Sequence, residues 1–236
     1  MGLFDKKYCD ICGEKIGLLG NRKLEDGNMC KECAKLLSPW MTDRRGSTVE
    51  EIKEHLAYRE QNRSSVEAFN VTRVIGSGYT KIYFDEDASK WMVTGSRKWK
   101  EENPDILDFS QVTGCNLNID ENRSEIKRTD SQGNEVSYNP PRYEYSYDFD
   151  VIIHVNSPWF SEIKFRLNQG DIEGRGSVEY NQCMREGDEI KKLLSGLREQ
   201  ARQASAPKTS VICPHCGAST VPDDNGCCEY CCAPIG

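Results

Sequence analysis

The sequence has few histidines, no long apolar run and no excess of positive charge. Its 236 residues include three histidines, His55, His154 and His215, which stand in unrelated contexts. No HExxH helix, nucleophile elbow or phosphate loop accompanies them, so the usual signatures of a catalytic site are missing. No run approaches the about 20 apolar residues of a membrane-spanning helix, and the first residues lack the apolar segment of a signal peptide. We therefore expect a non-catalytic protein in the reducing cytoplasm.

The charge balance argues against a nucleic-acid-binding function. The formal net charge is −7. Residues 1–46 carry nine Lys or Arg against seven Asp or Glu, whereas residues 206–236 carry one against three. Since contacts with phosphates supply most of the affinity for nucleic acids, a binder normally presents a basic surface. Only the N-terminal segment keeps that alternative open.

Cysteine, by contrast, is abundant. Ten of the 12 cysteines lie near the two ends of the chain in CxxC-type groups. Cys115 and Cys183 alone lie in the long middle, where we predict buried thiols without a partner. Disulfides do not persist in a reducing compartment, so paired CxxC groups indicate metal binding.

The first cysteine group predicts a treble-clef zinc finger over residues 1–46. Cys9-x2-Cys12 and Cys30-x2-Cys33 are separated by seventeen residues. A spacing of two residues lets one tight turn direct both sulfurs at a single ion. Between the pairs, glycines and an Asp-Gly dipeptide punctuate a hairpin, and KECAKLL after Cys30 favours a helix that ends before Pro39.

Residues 47–68 predict a linking helix. Ser47 and Glu50 can form a capping box at its start. The apolar residues at helical spacing form one narrow stripe, Val49, Ile52 and Leu56. We therefore expect a surface helix that separates two modules, with His55 as a packing or solvated residue and not a metal ligand.

Residues 69–203 predict antiparallel strands closed by one helix. The β-rich runs FNVTRVIG and TKIYFDEDASKWMVTG come first, and the polar residues 120–139 predict a long loop or a hairpin tip. From Tyr143 to Val155 aromatic and aliphatic residues alternate with polar ones, as in a long half-buried strand. GDEIKKLLSGLREQ then has helical periodicity. This order predicts a pleckstrin-homology-like (PH-like) β-barrel capped by the helix.

A linker over residues 204–211 leads to a predicted zinc ribbon over residues 212–236. The motif CPHCG supplies Cys213 and Cys216. Four further cysteines follow at 227, 228, 231 and 232, and only Cys228 and Cys231 have two residues between them. We predict this pair as ligands, while wider spacings through Cys227 or Cys232 stay open. Such a short segment cannot build a core, so the metal must stabilise its fold.

Three segments resemble known proteins. CDICGEKIG, NMCKECAKLLSPW and STVEEIKEHLAYRE resemble a bacterial zinc-finger family of unknown function, and CPHCGASTVPDDNGCCEYC resembles the zinc ribbons that end many bacterial proteins. The middle segment is similar to bacterial PH-like domains in pattern only. The resemblance implies zinc binding and this architecture, and a membrane-associated scaffold protein of the stomatin or flotillin type as partner. It implies no catalytic residue.

The sequence therefore predicts an adaptor with two structural zinc ions and no small-molecule substrate, cytoplasmic or peripheral at the membrane. The predicted ligands are Cys9, Cys12, Cys30, Cys33, Cys213, Cys216, Cys228 and Cys231. A first alternative is lipid binding by the PH-like domain through Lys90, Arg97, Lys98 and Lys100, which alternate with Trp91 and Trp99. A second is nucleic-acid binding by the treble clef, which requires one basic face from Lys6, Lys7, Arg22, Lys23, Arg44 and Arg45.

Overall fold

Short strands, two long hairpin strands and helices make a mixed α and β chain in the computed structural model, which describes residues 7–205, 210–223 and 226–235. The chain divides into two compact units, residues 1–198 and residues 199–236. Among the described residues, none of the helices combines the length and the apolar character needed to cross a membrane.

The first unit begins with the predicted order of turn, hairpin and helix. A hairpin of β1 (Arg22–Lys23) and β2 (Asn28–Met29) follows the first CxxC turn, and helix α1 spans Lys31–Lys35. A small buried core holds these elements together, and it consists of Cys9, Ile16, Leu24, Met29, Cys33, Leu37 and Ile52. Two cysteines are thus part of the hydrophobic packing of this segment.

Helix α2 (Val49–Ala68) starts one residue later than the sequence predicts. Its N-cap is Thr48, whose hydroxyl accepts a hydrogen bond from the Glu51 amide at 3.2 Å, while the Glu51 carboxylate accepts from the Thr48 amide at 2.8 Å. The predicted box of Ser47 and Glu50 is wrong because Ser47 ends the preceding 3-10 turn. Its amide donates to the carbonyl of Arg44 at 3.2 Å.

Helix α2 does more than separate two modules as a surface helix, which is what the sequence predicts, because it carries a continuous buried face. Its buried residues recur every three or four positions and so form one face: Ile52, His55, Arg59, Asn62 and Val66. Ile52 packs in the core of the N-terminal segment, while Val66 packs with Phe69, Met92 and Ile106 of the following sheet region. The helix therefore joins the two regions through a buried face whose middle is polar.

Hydrogen bonds satisfy most of that polar face. The Arg59 guanidinium lies 2.8 Å from a carboxylate oxygen of Asp105, and Ser38 donates to the other oxygen at 2.7 Å. Asn62 donates to the carbonyl of Pro104 at 2.7 Å and accepts from the amide of Ile106 at 3.0 Å. These hydrogen bonds attach to α2 segments of the chain that lie far from it in sequence.

His55 is the exception on this face. Its ring is fully buried against Tyr58 and Trp159, and neither ring nitrogen has a hydrogen-bond partner among the described residues. Burial, together with the charge of Arg59, lowers the pKa of His55 to about 4. The neutral imidazole is therefore the form that the fold accommodates.

We expect this histidine to make stability depend on pH. The unfolded chain binds the proton with a pKa of about 6.5, so stability is unaffected above pH 7 and falls as the pH drops from 6.5 towards 4. At pH 5 the loss amounts to about 2 kcal/mol. Urea unfolding at pH 7.5 and pH 5.0 should therefore show a larger fall for the natural protein than for His55→Leu or His55→Gln. Equal falls in all three proteins would contradict the assignment.

A four-stranded antiparallel sheet follows α2, in the order β3-β4-β5-β6. Its strands are β3 (Arg73–Ile75), β4 (Lys81–Asp85), β5 (Lys90–Thr94) and β6 (Leu107–Asp108), and the short helix α3 (Trp99–Glu102) precedes β6. The inner side chains of β4 and β5 are fully buried, among them Phe84 and Trp91.

The second sheet is built around a long hairpin. β7 (Val112–Thr129) pairs with β8 (Glu135–Val155), and β8 also pairs with β9 (Glu162–Arg166) and β10 (Ile172–Glu173). Of the two possibilities predicted for residues 120–139, the hairpin is present: its turn is held by Asp130, whose carboxylate accepts amide hydrogen bonds from Gln132 and Asn134.

The alternating strand predicted from Tyr143 to Val155 is present, but only part of it is half-buried. Tyr143 and Tyr145 are 39% and 41% exposed, whereas the same face from Tyr147 to Val155 is buried. The outer part of the hairpin extends beyond the packed region, so its aromatic residues do not belong to the core.

Helix α4 (Val178–Ser205) contacts both sheets. Glu186 accepts hydrogen bonds from the amide and the hydroxyl of Ser77, which follows β3. Gly187 lies against Leu117 of β7, since a Cβ added there would stand 2.7 Å from that side chain. Ile190 and Leu194 are fully buried. A single amphipathic helix thus covers part of each sheet, as the periodicity predicts.

No closed barrel is found among the described residues. The chain passes from β6 to β7 through a 3-10 turn, Phe109–Gln111, and no ladder pairs a strand of the first sheet with one of the second. Strand pattern alone does not encode barrel closure, which requires the first and last strands to meet in register.

The second unit is small. Within its described part, β11 (Val211–Ile212) pairs with β12 (Ser219–Thr220), and a bridge joins Cys227 to Pro234. Its buried residues are Cys213, Thr220 and Cys228. Residues 206–209 of the predicted linker lie outside the described residues.

Candidate metal centres

The first cysteine cluster has the dimensions of a tetrahedral metal site. The sulfurs of Cys9, Cys12, Cys30 and Cys33 all lie within 4.8 Å of one another. Cys9 and Cys33 are 3.9 Å apart at sulfur, and Cys12 and Cys30 are 3.8 Å apart. Four thiolates at about 2.3 Å from a zinc ion stand about 3.8 Å from each other, whereas a disulfide has about 2.0 Å between its sulfurs. The cluster could therefore hold a metal ion.

Local backbone geometry builds this cluster. Gly13, with φ +77°, donates its amide to the carbonyl of Cys9 at 2.8 Å and closes the first turn. The second pair lies at the start of α1: Cys30 is the N-cap, and its sulfur accepts a hydrogen bond from the Cys33 amide at 3.4 Å. The Cys30 amide in turn donates to the Cys9 sulfur at 3.2 Å, which links the two pairs.

The second cluster repeats this geometry at the other end of the chain. The sulfurs of Cys213, Cys216, Cys228 and Cys231 lie within 4.8 Å of one another, with 3.6 Å from Cys213 to Cys231 and 3.7 Å from Cys216 to Cys228. These four and the first four are the cysteines that the spacing predicts as ligands. Both clusters consist of sulfur alone, the donor set of closed structural zinc sites.

Cys227 and Cys232, the alternatives left open by the spacing, stand outside the cluster. The Cys227 amide donates to the carboxylate of Asp223 at 2.7 Å. The Cys232 amide donates to the carbonyl of Cys228 at 2.8 Å, just as the Gly217 amide donates to that of Cys213 at 2.9 Å. Cys232 thus closes the second turn, with φ +56° where Gly217 has φ +73°.

This geometry predicts that Cys232→Gly stabilises the tail. A left-handed backbone costs a residue other than glycine about 1 kcal/mol, so the variant should bind zinc about fivefold more tightly. Gly217→Ala is the matched control: an added Cβ would meet nothing within 4 Å, so it should weaken binding by a similar factor through backbone strain alone. Competition with a chromophoric chelator measures both. Weaker binding by Cys232→Gly would make Cys232 a ligand.

Electrostatics inside the first cluster favour a bound cation. Burial opposes ionisation of Cys9, but hydrogen bonds from the amides of Cys12, Cys30 and Ile11 outweigh it and lower the pKa of Cys9 to about 7. Burial, reinforced by the neighbouring thiols, raises the pKa of Cys33 strongly. One thiolate thus hinders the ionisation of its neighbours, and a divalent cation removes that conflict.

The second cluster behaves in the same way. The backbone amide of Cys216 is the main cause that lowers the pKa of Cys213 to about 6, against the effect of burial. The amide of Ala233 favours the thiolate of Cys231, yet burial and the nearby sulfurs raise the pKa of Cys231 to about 12. Metal binding at both clusters must therefore release protons and strengthen as the pH rises.

The remaining cysteines and histidines lie elsewhere. Burial raises the pKa of Cys115 and of Cys183 to about 11, and of these two thiols Cys183 is buried and Cys115 only partly so. His215 lies inside a cysteine turn, where its amide donates to the Cys213 sulfur at 3.4 Å. His154 is on β8, where its ring stands 3.7 Å from the carboxylate of Glu162.

Some of the basic residues named by the two alternatives have local partners. Lys90 is 3.2 Å from Asp108, and Lys98 is 3.7 Å from Glu101. Trp91 is fully buried, so it does not alternate with these cations on an exposed face. In the N-terminal segment Arg22 donates to the carbonyl of Leu19, and Lys6 lies outside the described residues.

An apolar surface beside the first cluster is a feature that sequence reasoning missed. Leu18 and Leu19 are 91% and 89% exposed in the loop before β1, and Leu36 is 53% exposed nearby. With Cys12 and Ile16 they line a groove of about 940 Å³. The available signal was the pair of leucines between Gly17 and Gly20, which the hairpin interpretation used only as punctuation.

One comparison with known proteins gives a match. A family model described as "Domain of unknown function (DUF4428)" matches residues 7–55, which contain the first cysteine cluster, the hairpin, α1 and the first turns of α2. Together with the cluster, this match fits a zinc-finger-like domain of unknown function. No curated protein and no solved structure matches the chain.

Proposed function

We propose that the protein is a non-catalytic zinc-binding adaptor, with a treble-clef finger and a zinc ribbon as its two ends and a PH-like domain between them. The observation that carries this proposal is the pair of four-sulfur clusters at tetrahedral spacing. Four cysteine ligands leave no coordination position for water or substrate, which a catalytic zinc ion requires. The ions then hold backbone segments in place and take no part in a reaction.

The middle of the chain supports the PH-like part of the proposal. A four-stranded antiparallel sheet is followed by the strands β7, β8 and β9, and then by α4, which contacts both sheets. Two antiparallel sheets covered by one C-terminal helix are what a PH-like domain requires. In this proposal the domain is a rigid base for the two metal-bound ends.

The exposed leucines supply the finger with a recognition surface. Exposed large apolar side chains that line a groove mark surfaces of interaction, because they are costly to leave in water. Leu18 and Leu19 meet this description, and the Lys35–Glu32 ion pair at 2.9 Å lies at the same groove. We propose that this surface binds a protein partner, with a membrane-associated scaffold protein of the stomatin or flotillin type as the first candidate.

The proposal predicts two zinc ions per chain. Elemental analysis of the purified protein is expected to give close to two equivalents, because each four-sulfur cluster binds one ion independently.

In affinity capture from the native cell, the double variant Leu18→Ser and Leu19→Ser and a chain without residues 207–236 should each lose a subset of the partners. A matched double variant of exposed residues elsewhere, Tyr79→Ser with Val178→Ser, should keep them.

Three results would count against the adaptor role. A zinc content of one ion or none would mean that at least one of the two proposed zinc-bound modules does not form. Unchanged partners for both variants would mean that neither end is a recognition surface. Robust metal-dependent turnover by the purified chain would show that a cluster opens to substrate. Flotation with liposomes separates the lipid-binding alternative, because an adaptor for proteins does not float without its partner.

A further inference from the structure

The outer edge of β7 is long, and no strand in the part of the chain that the structure describes lies paired along it. β7 pairs with β8 along one side, and within the described residues no other strand pairs with it. Between Gly114 and Thr129 the strand is continuous, and residues 120–129 are exposed. Such an edge presents a row of backbone N–H and C=O groups that can pair with another strand.

The opposite edge of the same hairpin is covered or interrupted along much of its length. β10 already covers β8 at Ser146 and Tyr147. Beyond that point the register moves from Ile126 opposite Arg142 to Lys127 opposite Ser137, so residues 138–141 form a bulge on β8. The bulge contains Pro140 and Pro141, which lack an N–H group. Proline and bulges are the usual protection of an edge, and β7 has neither between Gly114 and Thr129.

The charges along the open edge are self-complementary. The exposed part of β7 reads DENRSEIKR from residue 120 to residue 128, with acidic residues first and basic residues last. We propose that β7 pairs antiparallel with β7 of a second copy of this chain, about a twofold axis at Ser124. Opposite residues then carry opposite charges in three of the four pairs on each side of the axis: Asp120 with Arg128, Glu121 with Lys127, and Arg123 with Glu125.

This register satisfies more charges than its neighbours: an axis at Asn122 opposes only Glu121 and Arg123, and an axis at Ile126 opposes only Glu125 and Lys127. Directly opposed residues must lie on the same face of the sheet. The twofold axis therefore always passes between the two copies of one residue. An axis at Arg123 sets two arginines opposite each other and brings Glu121 opposite Glu125. An axis at Glu125 sets two glutamates opposite each other and brings Arg123 opposite Lys127. Like charges in direct opposition destabilise a pair of strands, and opposite charges stabilise it, so the charges favour the axis at Ser124 over the four axes beside it.

Asp120 and Arg128 are the best positions to test. Within the described part of the chain neither is in an ion pair, whereas Lys127 already lies 3.6 Å from Glu135 and Arg123 lies over the ring of Tyr143 at 3.5 Å. Asp120 does accept a hydrogen bond from the Asn118 side-chain amide at 3.0 Å, and its charge adds to the effect of Asp150 in raising the pKa of Lys164. Arg128→Glu is therefore the cleaner reversal, and the mixture of both variants separates the contact from these local effects. The folded hairpin keeps its own cross-strand interactions.

The test is sedimentation of the full, metal-loaded chain over a range of concentrations. The natural protein is expected to form a reversible dimer that weakens with salt. Asp120→Lys and Arg128→Glu should each weaken the dimer at least tenfold, because each places like charges opposite one another twice. Mixing the two variants should restore a dimer, since a lysine then faces a glutamate and an arginine an aspartate. The double variant should also dimerise by itself.

A cross-linking measurement makes the register testable independently. Ser124→Cys should form a disulfide between two copies, because residue 124 faces itself across the axis. Ile126→Cys lies on the same face of the same strand, but its two copies stand about 14 Å apart and should not join. A protein that remains monomeric at all concentrations overturns the proposal. So does a dimer that both charge reversals leave unchanged, or a dimer that Ile126→Cys links and Ser124→Cys does not.

Discussion

Asp105→Ala is expected to lower the free energy of unfolding by about 3–5 kcal/mol, the cost of leaving a buried charge without its partner. The Asp105 side chain is 0% exposed and the Arg59 side chain 8% exposed, with 2.8 Å between them. Removal of the carboxylate leaves the guanidinium buried, and it also leaves the Ser38 hydroxyl without its acceptor. Urea unfolding at neutral pH measures the loss.

The matched control is the double variant Arg59→Met with Asp105→Leu. Burial raises the pKa of Asp105 even though Arg59 and Ser38 act in the opposite direction, so desolvation outweighs the attraction of the pair. Replacing both charges with apolar side chains of similar size should therefore return most of the lost stability, with a deficit of about 1–3 kcal/mol left by the Ser38 hydroxyl and the Leu36 carbonyl, which lose their partners. A double variant as unstable as Asp105→Ala would show that the pair itself is strongly stabilising.

The pair of Arg59 and Asp105 explains why the sequence does not predict the buried face of α2. A count of apolar residues assigns Arg59 and Asn62 to the solvent, because charged and amide side chains are rarely buried without partners. Arg59 pairs with Asp105, which is 46 residues further along the chain, and Asn62 pairs with Ile106, which is 44 residues further along. No local sequence pattern indicates such distant partners. The existence and length of the helix depend on local sequence and were predicted well, but its buried face depends on contacts across the fold.

In the hairpin of β7 and β8, exposure on both faces removes the sequence pattern on which a strand prediction depends. Residues 120–142 of β7 and β8 are mostly exposed on both faces, so the sequence has no reason to alternate there. Periodicity can locate a strand only where one face is buried. The alternation begins at Tyr143, and from Tyr147 onward, where the strand enters the packed region, its aromatic and aliphatic face is buried.

The cysteine clusters were the most predictable part of the chain. Two residues between cysteines, with glycine or a left-handed residue after the second, define a turn whose geometry is entirely local. That turn closes with the same hydrogen bond at Gly13, Gly217 and Cys232. The exposure of Leu18 and Leu19 was not predictable, because it depends on what the rest of the protein leaves uncovered.

Loss of one metal ion should have different consequences at the two ends. Cys33→Ser and Cys228→Ser are each expected to release one zinc ion of two, because each removes one sulfur of a four-sulfur cluster. In structural sites the metal supplies folding energy on the order of 10 kcal/mol. The variants differ in how much other structure depends on that energy.

Cys33→Ser should destabilise a large part of the first unit. Cys9 and Cys33 are members of the same buried core as Leu24, Met29 and Ile52, and Ile52 belongs to α2. When the cluster opens, the packing around Ile52 is lost, and the N-terminal half of α2 is no longer buried against the finger. Hydrogen exchange should therefore accelerate in residues 7–60, and the thermal transition of the whole protein should move to lower temperature.

Cys228→Ser should act only on the tail. In its described residues the second unit has two strands of two residues each, β11 and β12, and the buried side chains there are two of the cluster's own cysteines and Thr220. Without its metal this segment has almost nothing to bury, so residues 210–235 should exchange at the rate of an unfolded chain. The transition of the first unit should keep its midpoint, because none of its core residues is removed. Equal shifts of that midpoint in the two variants would mean that the tail stabilises the first unit, and the adaptor would then have one cooperative body where two independent ends are proposed.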